Sequence, residues 1–233
     1  MTPLFHDRRE AGKYLAKKLS SYMERDDVIV LALPRGGVPV AFEVAQALRA
    51  PLDLMLVRKL GVPGQEELAM GALAMPNICV FNHDVILSAQ VAQEEIDLVI
   101  AKETAELLRR NRFYRGGEPP PNLKDRTVIL VDDGAATGAT MHAAISAVVQ
   151  QWPLRVIAAM PVASKEAYEM LRQQADEIVC PHALAPFFGV SRFYEEFGQT
   201  TDEEVLELLE HARHWGKGLV NFTEERKRAQ RSL

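Results

Sequence analysis

Only two of the 233 residues are cysteine, Cys79 and Cys180, and neither stands at a metal-ligand spacing. They lie far apart, which reads as a reducing compartment with both thiols idle. The histidines are equally unhelpful to a metal. His6, His83, His142, His211 and His214 form no ligand pattern, and His182, just after a strand, reads as structural or solvated. No apolar run approaches the ~20 residues that a membrane span needs, and Met1 to Arg9 holds no apolar signal core. The expectation is a cytoplasmic protein without a membrane partner. The net charge of −5 leaves no broad basic surface for nucleic acid, so any anion site has to be local. No winged-helix pattern or basic recognition helix is present, and no internal repeat. The nucleoside-triphosphate loop Gly-x-x-x-x-Gly-Lys-Ser/Thr is missing, as is Gly-x-Gly-x-x-Gly at the strand–helix junction described next.

What the chain does have is Val128-Ile129-Leu130-Val131-Asp132-Asp133-Gly134-Ala135-Ala136-Thr137-Gly138-Ala139-Thr140. Four apolar residues make a short buried strand, and two adjacent carboxylates follow at its carboxyl end. A loop of small residues leads into an apolar-periodic helix from about Met141. Small side chains let a phosphate reach the backbone, where successive N–H groups, the helix start and threonine hydroxyls can cradle it. Carboxylates repel phosphate, so the pair needs another task. Accepting hydrogen bonds from sugar hydroxyls, or holding a hydrated metal ion, would supply one. A phosphorylated sugar satisfies both halves.

This stretch resembles the signature of type I phosphoribosyltransferases, which use 5-phosphoribosyl-1-pyrophosphate (PRPP). The pattern is an apolar strand, two acidic residues, three variable residues, then Thr-Gly-x-Thr, and each position is met here. The resemblance implies that Asp132 and Asp133 hold the ribose hydroxyls and stand mainly in the outer shell of a Mg²⁺ ion. It places the 5′-phosphate on Ala135, Ala136, Thr137, Gly138, Ala139 and Thr140, with Gly134 also in the PRPP site. One departure matters. In 6-oxopurine members the residue before the first Thr is an Asp serving as general base, and here it is Ala136, which argues against hypoxanthine or guanine and leaves no base identified.

Hydrophobic content of 48% and charged content of 25% suit one globular α/β domain. Strands are expected at 28–33, 52–57, 155–160 and 177–180, with helices at 8–23, 38–48, 88–113, 164–173 and from Asp202, as the cap, to His211. Alternating strands and helices predict a parallel sheet with helices on both faces and ligands beyond the carboxyl ends of the strands. We expect a single domain over 1–215, a small hood near 181–200, and a polar tail over 216–233.

Two further strand-end loops support the site. Pro34-Arg35-Gly36-Gly37 opens a helix, and Arg35-Gly36 is similar to the basic-then-Gly pair that binds pyrophosphate in the family. Arg58-Lys59 precedes Gly61-Val62-Pro63-Gly64-Gln65-Glu66-Glu67, which is similar to the basic dipeptide and mobile flap of adenine and orotate phosphoribosyltransferases. Arg58 and Lys59 would stabilise the departing pyrophosphate, and a flap would keep water from a ribosyl-cation-like transition state. The segment Phe187 to Phe197 holds five aromatics, which either stack an acceptor base or pack the C-terminal segment or a homodimer contact. Phe5-x-Asp-Arg, Leu-Pro-Arg-Gly-Gly, Val-Arg-Lys-Leu-Gly and Val-Ser-x-Phe-Tyr are similar to bacterial predicted phosphoribosyltransferases of unassigned acceptor. The expected activity is transfer of 5-phosphoribosyl to a base or amine nitrogen with release of pyrophosphate. The alternatives are a non-catalytic PRPP- or nucleotide-binding regulatory module, or an enzyme of another phosphorylated ribose.

Overall fold

The computed structural model describes residues 3–75 and 78–213; the polar tail expected over 216–233 lies outside them. At its centre lies a parallel sheet of β1 (Val28–Ala32), β2 (Leu52–Leu54), β6 (Thr127–Val131), β7 (Arg155–Ala159) and β9 (Glu177–Val179). Their spatial order is β2-β1-β6-β7-β9. Every residue of β1 and β6 is buried, which is why both read as unbroken apolar runs rather than alternating ones. Alternate residues serve opposite faces. Val28, Val30, Ile129 and Val131 pack toward α1 (Arg8–Lys18), α2 (Gly37–Leu48) and a last helix over 202–213. Ile29, Leu31, Val128 and Leu130 pack toward α5 (Ala139–Val149) and α6 (Lys165–Arg172).

The chain winds outward from the centre in both directions, β1 to β2 through α2 and β6 to β7 through α5. Right-handed crossovers in opposite directions put those helices on opposite faces. Between β1 and β6, paired from Val28–Thr127 to Ala32–Val131, the following loops diverge and open a crevice. The Pro34–Gly37 and Asp132–Thr140 loops both start there.

Several sequence expectations need correction. The strand expected over 52–57 is broken: β2 ends at Leu54, and β3 (Val57–Val62) belongs to a separate antiparallel sheet with β4 (Gln65–Ala74) and β5 (Ile78–Phe81). The expected flap loop is therefore a β-hairpin. Pro63-Gly64 makes its turn, with Gly64 at φ +75°, a conformation that glycine adopts without steric cost. Charged residues hid this strand, because Leu60, Val62, Met70 and Leu73 face the core between charged and small residues. The helix expected over 88–113 starts later, as α4 (Gln93–Arg115), and a separate short α3 (His83–Ser88) precedes it. The last helix is capped by Thr201, whose hydroxyl accepts the Glu204 N–H at 3.1 Å, and not by Asp202.

In the region expected as a hood, the N-terminal segment meets residues 182–195. β8 (Val162–Ser164) pairs with β10 (His182–Leu184), and a short 3-10 turn, Val190–Phe193, follows. The N–H groups of Leu4 and Phe5 donate to Phe193 O at 2.9 and 3.0 Å, and Glu195 N–H donates back to Phe5 O at 3.0 Å. Phe5, Phe193 and Tyr194 are buried together. Most of the aromatic segment thus packs against the N-terminal segment and β8. Phe188 alone among its rings is largely exposed. His182 stacks on Tyr14 within the same cluster, as a structural histidine would.

Candidate active site

Asp132 and Asp133 leave β6 at the crevice, and the Pro34–Gly37 loop is pressed against them. The Pro34–Arg35 peptide is cis. A Cβ on Gly36 would lie 2.2 Å from Asp133 Oδ2, and one on Gly37 would lie 2.7 Å from the Val131 carbonyl oxygen and 2.9 Å from Asp132 Cα. Both glycines are therefore required by close approach. In the sequence they read as anion donors, and the geometry gives them a second task, making room for the carboxylates.

Each carboxylate has one oxygen held by an N–H donor, and the two carboxyls also interact with each other. Asp132 Oδ1 accepts the Asp133 N–H at 2.9 Å. Asp133 Oδ2 accepts Arg8 Nε at 2.8 Å. Burial holds Asp132 well above the usual carboxylate range, and the neighbouring Asp133 charge adds to the shift. Burial raises Asp133 as well, against the pull of the Arg8 guanidinium. The Tyr194 hydroxyl donates to the Asp133 carbonyl at 2.6 Å, and burial keeps that phenol protonated. This pair is held ready at a cost.

The loop that follows divides in two. Ala135 is structural: it is buried, its N–H donates to Val162 O at 3.0 Å, and its carbonyl accepts the Ser164 N–H at 2.9 Å. Gly134 is also enclosed, since a Cβ there would meet Val190 at 2.6 Å. Ala136, Thr137 and Thr140 are exposed. Among the described residues no acceptor takes the N–H of Ala136, Thr137, Gly138 or Thr140. Those N–H groups, next to the start of α5, form the anion-ready part of the loop. Gly138 turns the chain at φ +73°, and a Cβ there would meet Met170 at 2.8 Å, so a larger side chain would disturb α6 rather than fill the anion space.

The cations are differently placed. Arg35 reaches Asp202 at 3.6 Å, and the Tyr114 hydroxyl donates to the same carboxylate. Arg58 Nε donates to Glu103 Oε2 of α4 at 2.6 Å. Lys59 follows it on β3 and so turns to the opposite face of the hairpin. Arg110 and Thr140 share the wall of a small pocket with Leu33, Pro34, Val57 and Leu107. Arg8 is the site residue that the sequence motifs do not bring out, although it belongs to Phe5-x-Asp-Arg. A signal existed: a basic residue in the first turn of a helix opposes the helix dipole, and such a placement asks for a nearby acid.

The model of the phosphoribosyl transferase domain matches residues 6–192. The chain belongs to this family. A Mycobacterium tuberculosis protein named "Putative phosphoribosyl transferase" is 43% identical over 209 residues, covering 90% of this chain and 47% of the relative. The chain thus spans about half the length of the curated relatives it matches. The crystal structure of TT1426 from Thermus thermophilus is 42% identical, with a TM-score of 0.80, covering 90% of this chain and 98% of that one. This family member keeps the acidic pair and the Thr-Gly-x-Thr turn, and at the position before the turn it exposes Ala136. Among the described residues no helix is long and apolar enough to cross a membrane.

Proposed function

We propose that the chain is a Mg²⁺-dependent phosphoribosyltransferase whose donor is PRPP. The observation that supports this most is the adjacency of two half-sites: a paired carboxylate with oxygens left over, and a ring of N–H groups without acceptors. A vicinal diol fits the first and a phosphate monoester fits the second. Ribose 5-phosphate carries both, and the Arg35-Gly36-Gly37 loop beside the pair takes the pyrophosphate. The same reading takes 1–215 as one unit with a hood near 181–200, in the cytoplasm.

An acceptor nitrogen attacks C1′ with its lone pair. The C1′–O bond to pyrophosphate breaks, and its electron pair leaves on the pyrophosphate oxygen. The residues fit a magnesium ion of the kind that keeps most of its waters, since two buried carboxylates hold surplus negative charge that Arg8 only partly offsets. Asp132 and Asp133 would hold it through those waters, and when bound it neutralises charge on the leaving group. Asp132, Asp133 and the Arg35–Gly37 loop orient the donor, and the hood limits water at C1′.

The test is pyrophosphate release from PRPP and Mg²⁺ against a panel of purines, pyrimidines and amines. Release with at least one acceptor is expected. Tight PRPP binding with no release across the panel would favour the regulatory module instead. The hairpin cations should separate in the same assay. Lys59→Ala is expected to lower turnover. Arg58→Ala should cost roughly 1–3 kcal/mol of stability, because it strands the Glu103 carboxylate, whose side chain is 11% exposed. Urea denaturation measures the second effect, and an unchanged midpoint would show that Glu103 needs no partner.

A further inference from the structure

Asp132 and Asp133 are neighbours with parallel tasks, yet the chain fixes them by different means. The Asp133 N–H anchors one oxygen of Asp132, a bond that any residue but proline at 133 would supply. Asp133 has a side chain as its anchor instead. Arg8 brings three contacts to one place: Nε to Asp133 Oδ2 at 2.8 Å, Nη1 to the Gly198 carbonyl at 2.7 Å, and its guanidinium carbon 3.9 Å from the centre of the Phe197 ring. The Arg8 side chain is 12% exposed and that of Asp133 14%. On its far side Oδ2 is backed by the Gly36 Cα, where no Cβ would fit. The carboxylate therefore has Oδ2 held between Arg8 and Gly36, and among the described residues no N–H donor takes Oδ1. A planar guanidinium suits this duty because its fork fixes direction as well as charge.

Resting on the phosphoribosyltransferase reading, we propose that Arg8 is a positioning residue for the sugar half of the donor: it holds Asp133 so that Oδ1 meets a ribose hydroxyl. Through Gly198 and Phe197 it also makes the hood and the N-terminal segment part of the diol site. A residue with this role affects ligands that carry the ribose hydroxyls and leaves pyrophosphate alone. Its effect also runs through Asp133, so it vanishes when that carboxylate is gone.

The experiment is calorimetric titration of PRPP, ribose 5-phosphate and pyrophosphate, each with Mg²⁺, into the parent and into Arg8→Met, Arg8→Lys, Asp133→Asn and Arg8→Met/Asp133→Asn. Methionine keeps the apolar stem against Phe197 and removes the fork. Expected is a loss of about tenfold or more for PRPP and ribose 5-phosphate in Arg8→Met, with pyrophosphate within twofold of the parent. Arg8→Lys should recover part of the loss. In the Asp133→Asn background Arg8→Met should add less than threefold. Equal losses for all three ligands would overturn the proposal, as would parent-like binding by Arg8→Met, a fully additive double variant, or an Arg8→Met protein unfolded by circular dichroism. A parent that binds none of the three ligands would instead overturn the donor reading itself.

Discussion

Asp132→Asn is expected to stabilise the free protein while weakening its hold on PRPP. The folded state pays to keep this carboxylate ionised, because burial and the Asp133 charge both disfavour the anion. An amide of the same shape still accepts the Asp133 N–H and removes that cost. A gain of about 1 kcal/mol or more, worth roughly 2–4 °C in a chain of this size, is the expected scale. The pH dependence follows from the raised pKa. Below the ordinary carboxylate range both the folded and unfolded states carry the proton, and the penalty is absent. It grows as pH rises through that range and is complete above the raised folded-state pKa. The melting-temperature gap between variant and parent should therefore widen from acid toward neutral pH. Affinity moves the other way. Losing one hydrogen bond to a charged acceptor costs roughly 1.5–3 kcal/mol, about ten- to hundredfold in PRPP binding. Differential scanning fluorimetry across pH, beside calorimetry, measures both. A variant less stable than the parent at neutral pH would mean that the carboxylate is structural and not strained for a ligand.

Gly36→Ala is expected to abolish most PRPP binding through Asp133, although position 36 reads in the sequence as a pyrophosphate donor. The new methyl would fall 2.2 Å from Asp133 Oδ2. Either the Pro34–Gly37 loop lifts away or the carboxylate rotates off Arg8, and both outcomes dismantle the site. Two charge-assisted bonds are at stake, those of Asp133 with Arg8 and with the ligand. At roughly 1.5–3 kcal/mol each, the combined effect on PRPP affinity should reach about hundredfold or more. A fall in melting temperature should accompany it. Affinity within threefold of the parent would show that Asp133 can step aside freely, and the packed arrangement would lose its functional meaning.

The parts of this protein that were legible in its sequence are those where local chemistry decides structure. Val28 to Leu33 and Val128 to Val131 are buried on both faces, so a continuous apolar run could mean little else. The carboxylates and small residues after Val131 carry the proposed sugar-phosphate reading in their composition. Arg58 to Met70 was not legible as a hairpin, because one of its faces is charged and its pairing with residues 65–74 is a tertiary fact. The division of the phosphate loop was equally hidden. Ala135 gives its N–H to β8, a partner that becomes visible only when the chain folds. Arg8 lies 125 residues from Asp133, and no spacing rule connects them. Even so, a basic residue opening α1 against the helix dipole was a local anomaly that called for a partner.

The central claim is that Asp132 and Asp133 recognise the vicinal hydroxyls of a phosphorylated ribose. The most direct measurement compares the binding of ribose 5-phosphate and 2-deoxyribose 5-phosphate to the unaltered protein by calorimetry. The two ligands share the phosphate and differ by one hydroxyl. If a carboxylate accepts that hydroxyl, ribose 5-phosphate should bind about ten- to hundredfold more tightly. Equal affinities would mean that the acidic pair does not read the diol, and the account of this site would fail.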